Sequence, residues 1–198
     1  MAQSRMQPMT LDEFLRWAQY QEQRHEFVDG AAVAMAGGTR AHDRIQRNLI
    51  IRCTPRLSGS GCEPLGPDIM VVTGTGNGRY PDMTIDCGTY EATAVAATEP
   101  TVVFEILSES TKKTDQLAKL VDYDATPAIR HYVLVSQIEP LVLVYSRGGH
   151  GSFGIRPETL RGLEAVLALP SVGIALPLGE IYQGLGFAEA PEQGATEA

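Results

Sequence analysis

Hydrophobic and polar positions change rhythm several times along the 198-residue chain. Thr10 to Glu13 reads T-x-x-E ahead of FLRWA, a capping box that starts a short amphipathic helix. HEFVDGAAVAM follows, two short runs on either side of Asp29-Gly30, and this pattern predicts a hairpin. Gly37-Gly38-Thr39 breaks the chain. Thr39 then caps a helix expected from Arg40 to Thr54, with Pro55 ending it. On a helical wheel Ile45, Leu49 and Cys53 share one face with His42 beside them, and Arg40, Arg44 and Arg47 gather opposite. From about residue 65 the period shortens, and DIMVVTG, DMTIDCG and TVVFEILS read as three strands. The segments between them, GTGNGRYP and TYEATAVAATEP, read as loops, with the Gly-rich 74–78 stretch a flexible hairpin loop. STKKTDQLAKLVDYDAT reads as a helix capped near Thr114, and HYVLVS and LVLVYSRG as two strands around QIEP. The C-terminal part predicts a short strand pair and a last helical turn near Gly179 to Leu185. This order predicts an α/β (α+β) domain over residues 1–187, a mixed central sheet flanked by helices, followed by a disordered tail from 188 to 198.

Composition fits that picture: 43% hydrophobic and 20% charged residues suffice for a buried core. No run of 18 apolar residues occurs, so no transmembrane helix is expected. The N-terminus lacks the apolar stretch of a secretory signal. Cys53, Cys62 and Cys87 are odd in number and widely spaced, which predicts free thiols in a reducing cytoplasm rather than a disulfide framework or a zinc site. Net charge is −8, against the basic balance of a general nucleic-acid coat protein. An enzyme with acidic metal ligands can be acidic overall and meet nucleic acid through a local patch such as the arginine stripe. No P-loop, H-E-x-x-H, C-x-x-C or G-x-S-x-G occurs.

The chemistry is concentrated at RYPDMTIDCG and TVVFEILS. Pro81 lacks an N–H and suits a strand's first residue, which puts Asp82 at the strand mouth. Glu105 sits between Phe104 and Ile106 in a run that otherwise reads as buried, where an unpaired glutamate is rare. If the two strands are antiparallel with Asp82 opposite Glu105, then Thr84 opposes Val103 and Asp86 opposes Thr101. The two carboxylates would then be cross-strand neighbours, roughly 5 Å apart at Cβ. Such like charges repel unless a divalent cation lies between them, and Mg²⁺, with Mn²⁺ as a substitute, suits two carboxylates plus the Ile106 carbonyl.

HEFVDGAAVAMAGG, AHDRIQRNL, YPDMTID, VVFEILSEST, DQLAKLVDY and HYVLV, in this order and spacing, resemble the Uma-type restriction endonuclease family of the PD-(D/E)XK nuclease-like superfamily. The resemblance runs from MTLDEFL to LGEIYQGL. It implies a restriction-endonuclease-like core and a metal-dependent endonuclease that hydrolyses phosphodiester bonds in DNA, acting in the cytoplasm and possible as a homodimer. The alternative is a catalytically inactive nuclease-fold protein acting as an interaction or nucleic-acid-binding module. The general motif places a lysine two residues after the glutamate, where this chain has Leu107. The resemblance offers Lys119 as its replacement, with Asp115 one turn before it as a helical ion-pair partner; Lys112 and Lys113 are the weaker candidates. It also adds Glu26 as a catalytic acidic residue from the first hairpin, Asp68 as a further acidic position, and His42 as a residue near the site. The expected site is thus Glu26, Asp82, Glu105 and Lys119, with metal held by Asp82, Glu105 and the Ile106 carbonyl.

Overall fold

The computed structural model describes residues 8–107 and 113–187. Its elements are α1 (Leu11–Ala18), β1 (His25–Val28), β2 (Ala31–Ala34), α2 (Arg40–Arg56), β3 (Glu63–Leu65), β4 (Val71–Val72), β5 (Gly78–Arg79), β6 (Met83–Asp86), β7 (Pro100–Leu107), α3 (Lys113–Asp124), β8 (His131–Ser136), β9 (Leu141–Ser146), β10 (Glu158–Arg161), β11 (Val166–Leu169), β12 (Ile174–Pro177) and α4 (Leu178–Ile181). A six-stranded mixed sheet in the order β10-β9-β8-β7-β6-β3 forms the centre. Only β7 and β8 pair in parallel, and α3 lies in the crossover between them. A second sheet, β2-β1-β5-β4, and a β11-β12 hairpin complete the described strands.

Local chemistry explains the starts and turns. Thr10 and Glu13 close the capping box of α1 in both directions, at 2.7 Å and 3.2 Å. Asp29 and Gly30 both take positive φ, 49° and 79°, as the tight hairpin between β1 and β2 demands. Thr39 caps α2 by accepting from the His42 N–H at 3.2 Å. Helix α2 continues past the expected end to Arg56. In the last turn Pro55 removes a single backbone donor, and its fixed φ is already helical, so it does not break the helix there.

The central sheet carries a helix on each face. Ile45, Leu49 and Cys53 of α2 pack on Met83, Ile85, Val102, Phe104 and Ile106. The other face packs Val103 and Tyr132 against Tyr123 of α3. Strand β7 is therefore buried on both sides, and each fully buried apolar side chain contributes about 1.5–3 kcal/mol. Arg147, 3% exposed, closes the end of α3 by donating to the carbonyls of Tyr123, Asp124 and Thr126 at 3.0–3.1 Å.

Several expectations are corrected. DIMVVTG supplies only the two residues of β4, which pair with β5 in the second sheet, and Glu63–Leu65 takes the edge beside β6 instead. The GTGNG stretch joins β4 to β5 but is docked rather than flexible. The Gly74 N–H donates to Thr126 Oγ1 at 2.9 Å, and a Cβ at Gly74 would lie 1.8 Å from the Ala125 carbonyl oxygen. Thr84 opposes Val103 as expected, but a register shift after Ile85 sets Asp86 opposite Pro100 rather than Thr101. Cys62 and Cys87 form a disulfide, leaving Cys53 free and buried. The β3–β6 pairing places Glu63 opposite Asp86, so the next residues outward, the two cysteines, face each other across the strands. Sequence separation alone could not show that meeting. The expected tail from 188 onward lies outside the described residues, as does Lys112. Among the described residues no helix is long and apolar enough to cross a membrane.

The pairing has a direct check. Denatured without reductant and alkylated, the protein should show modification at Cys53 alone by mass spectrometry. Cys62 and Cys87 should become modified only after reduction, and three labelled cysteines without reductant would refute the bond.

Candidate functional site

The expected residues meet where β6 and β7 end, between α2 and α3. Asp82 lies one residue before β6. Its N–H donates to the Phe104 carbonyl at 3.1 Å, and its Oδ2 accepts from the Ile106 N–H at 2.6 Å. Asp82 thus spans the two residues that flank Glu105. The last registered pair is Met83 with Phe104. Within a strand a residue's N–H and C=O point to the same side, so the Ile106 carbonyl faces the side that Asp82 occupies. From α2, His42 Nε2 lies 3.1 Å from Asp82 Oδ1, and Gln46 donates to the Asp82 carbonyl at 2.7 Å. His42 is therefore a half-buried partner of Asp82 rather than a core histidine. Its hydrogen bond to Asp82 raises its pKa, outweighing its partial burial.

Glu105 is held by the other helix. Its Oε1 accepts from Lys119 Nζ at 2.8 Å and from the Tyr123 hydroxyl at 2.9 Å, both on α3. Lys119 Nζ also lies 3.2 Å from Glu26 Oε1. The ammonium therefore turns inward to two carboxylates instead of along the helix to Asp115. Leu107 is two residues from Glu105 and so on the same sheet face, the face that α3 covers. A lysine reaching Glu105 from α3 thus enters the space that a lysine at 107 would occupy.

Three further residues escaped the sequence reading. Arg79, 3% exposed, donates to Glu26 Oε2 at 2.8 Å and to Asp122 Oδ2 at 2.7 Å. Asp122 also accepts from Thr75 Oγ1 at 2.6 Å and Asn77 Nδ2 at 2.9 Å. Asp122 stands one turn after Lys119, so this clamp ties α3 to the β1–β5 sheet and fixes Lys119 between Glu26 and Glu105. Tyr123 completes the set. The one available signal was the i, i+3 and i, i+4 spacing of Lys119, Asp122 and Tyr123, which puts all three on one helix face.

Not every candidate joins. Asp68 has an 84% exposed side chain and pairs with Arg24 at 3.5 Å, away from these groups. Arg40, Arg44 and Arg47 are exposed on the far side of α2.

The electrostatics follow from two buried cations, Lys119 and Arg79, among several carboxylates. Burial pushes the Glu105 carboxyl up to about 7; Lys119 opposes this, while Asp82 and Glu26 add to it. Burial disfavours the Lys119 ammonium, but Glu105 and Glu26 outweigh it and hold its pKa above the usual lysine range. Burial raises the Tyr123 phenol far above its ordinary range, and the neighbouring Glu105 adds to this, so it remains a donor. Among the described residues no three His, Cys, Asp or Glu side chains cluster closely enough to cage a metal. Asp82, Glu105 and the Ile106 carbonyl are nevertheless all oxygen donors from one strand end. That donor set fits a hard cation that keeps several of its waters.

A mixed sheet with two acidic residues at one strand end, and a lysine delivered from the crossover helix, has the architecture of a restriction-endonuclease-like nuclease. The chain belongs to the Uma2 family, described as "Putative restriction endonuclease", whose match covers residues 11–179. It is 30% identical to the "Uncharacterized protein slr1290" of Synechocystis over 178 residues, covering 89% of this chain and 92% of that one. It is 24% identical to "Uncharacterized protein sll1609" of the same organism over 145 residues, covering 71% and 82%. A crystal structure described as a "putative nuclease belonging to DUF820" from Anabaena variabilis shares the fold, with a TM-score of 0.71 at 18% identity, covering 88% of this chain and 98% of that one.

Two outcomes test the site's electrostatics. Arg79→Ala leaves Asp122 buried without its cation and Glu26 with Lys119 alone, and should cost about 3–5 kcal/mol in urea unfolding. Glu105 holds its proton up to about pH 7 when folded, against an ordinary value of 4.5. The native state therefore binds more protons than the unfolded state between these values, and stability falls as pH rises through that window. Unfolding measured from about pH 5 to 8 should show wild type losing stability relative to Glu105→Gln, and parallel curves would contradict the assignment.

Proposed function

We propose that the protein is a divalent-metal-dependent endonuclease that hydrolyses phosphodiester bonds in DNA. One observation carries the reading: Glu26, Glu105 and Lys119 converge in a single ion-paired cluster, with Asp82 bonded to the residue next to Glu105. Nucleases of this class usually need divalent metal ions. Mg²⁺ would be held by Asp82, Glu105 and the Ile106 carbonyl, with Mn²⁺ a substitute. Bound there, the ion would lower the pKa of a water and polarise the scissile phosphate.

The chain's own residues account for the rest. His42 and the Ile106 N–H fix the two oxygens of Asp82, so the carboxylate is oriented before any ligand arrives. Tyr123 and Lys119 both hold one oxygen of Glu105, Oε1. Lys119 supplies positive charge where the phosphate becomes more negative, and its shared contact with Glu26 lets it exchange one carboxylate for the phosphate. Glu26 would orient a second ion or its waters. Two copies of the chain, one for each strand, would let this site cut a duplex.

A specific observation favours the second reading, a nuclease fold kept as an interaction module. Lys119 already neutralises Glu105, and Arg79 already neutralises Glu26. Calorimetry with Mg²⁺ or Mn²⁺ separates the two, since a module without metal would show no heat of binding at millimolar concentrations. For the endonuclease, Asp82→Ala and Glu105→Ala should each abolish Mg²⁺-dependent cleavage of plasmid DNA. Lys119→Ala should lower kcat by about 10²–10³, the scale for removing one donor to developing charge. Full cleavage by either aspartate or glutamate variant sinks the assignment.

A further inference from the structure

Helix α2 holds five arginines against one aspartate, inside a chain of net charge −8. Its two ends of charge are managed differently. Arg52 and Arg56 both pair with Glu180, at 3.4 Å and 2.7 Å, and Arg47 pairs with Asp43 at 3.1 Å. Arg40 and Arg44 have no carboxylate within ion-pair distance among the described residues. Both line a cleft of about 380 Å³ between the first turns of α2 and Gly184-Leu185, whose wall also carries Arg47 with its partner Asp43.

The cleft is held open by its own framework. Asn48 donates to the carbonyls of Ile181 and Gln183 at 2.9 Å and 3.0 Å, and Arg52 bonds Gln183, which together fasten the C-terminal turn to α2. Gly184 has a φ of +80°, and a Cβ there would lie 2.8 Å from Arg44 Nη1. A side chain at 184 would therefore push the guanidinium out of the place it occupies.

The same helix turns His42 and Gln46 toward Asp82. Arg40 and Arg44 stand on its other side, one helix diameter away, about 10–12 Å. A cationic pair with no ion-pair partner among the described residues, across α2 from an acidic site, matches a polyanion whose one phosphate lies at the site while others need countercharge.

We propose that Arg40 and Arg44, over the cleft floored by Gly184 and Leu185, bind backbone phosphates of the DNA strand a few nucleotides from the one engaged at Asp82. This rests on the endonuclease reading for its substrate but not for its measurement. The test is fluorescence anisotropy of a short fluorescein-labelled DNA duplex, titrated with the full-length protein in EDTA across a salt series from about 50 to 200 mM. Two phosphate contacts contribute about 1.8 to the slope of log K against log salt. Arg40→Ala/Arg44→Ala should lose that much slope and bind at least tenfold more weakly, while Arg56→Ala, whose cation is already paired, should track wild type. An unchanged slope in the double variant overturns the proposal, as does wild-type protein that does not bind the duplex at all. Salt-dependent binding that falls as expected in a protein unable to cleave with Mg²⁺ would keep this surface and remove the catalytic reading.

Discussion

The site depends on a single ammonium. Lys119 Nζ sits 2.8 Å from Glu105 and 3.2 Å from Glu26, with Asp82 close enough to raise the Glu105 pKa further. Remove that charge and several carboxylates face one another in a buried place, where like charges are far more costly than in water. The lysine is therefore a structural requirement before it is anything else. One cation cannot stabilise every carboxylate around it, and this explains both directions of shift: the lysine is held charged, and the most deeply buried acid keeps its proton longest. A divalent cation at Asp82 and Glu105 would relieve the same excess of negative charge, which is why the cluster suits one.

Two helices divide the labour. Asp82 is oriented from the α2 side by His42 and Gln46, and Glu105 from the α3 side by Lys119 and Tyr123. Each acidic residue is thus set by a different helix, and the strands between them fix their separation. The absence of a lysine at 107 follows the same geometry. Residue 107 lies on the face covered by α3, and Leu107 packs with the cluster around Tyr123 there. An apolar residue at 107 thus packs against the helix that carries Lys119.

Much of this was legible in the sequence because it was local or periodic. The capping box, the Asp29-Gly30 hairpin, the apolar face of α2 and the doubly buried β7 are statements about neighbours within a few residues. Glu105 stood out because a charge in a buried strand needs a partner, and Thr84 opposite Val103 followed once Asp82 was set opposite Glu105 on antiparallel strands. What stayed hidden needed long-range meetings. Arg79 joins Glu26 to Asp122 across 53 and 43 residues of chain, and nothing in the GRYP segment marks its arginine as buried. The Cys62–Cys87 bond needed β3, whose three residues, proline among them, carry no strand pattern. The two-residue strands β4 and β5 are likewise defined by their partners rather than by their own residues.

The two buried cations of the site are not interchangeable, and their chemistry explains which one sits where. Arg79 presents a planar fork to two carboxylates at once, from β5 to β1 on one side and α3 on the other, so its geometry is fixed by both. That suits a clamp, because moving it would break two charged bonds together. Lys119 is a point charge on a flexible stem, and its ammonium can rotate among acceptors. It contacts Glu26 and Glu105 without being locked in a plane to either. Exchanging the pair would put a rigid fork beside Glu105 and leave the interface between α3 and the second sheet to a single mobile charge. The arrangement keeps the immobile cation in the framework and the more mobile one at the acidic strand end.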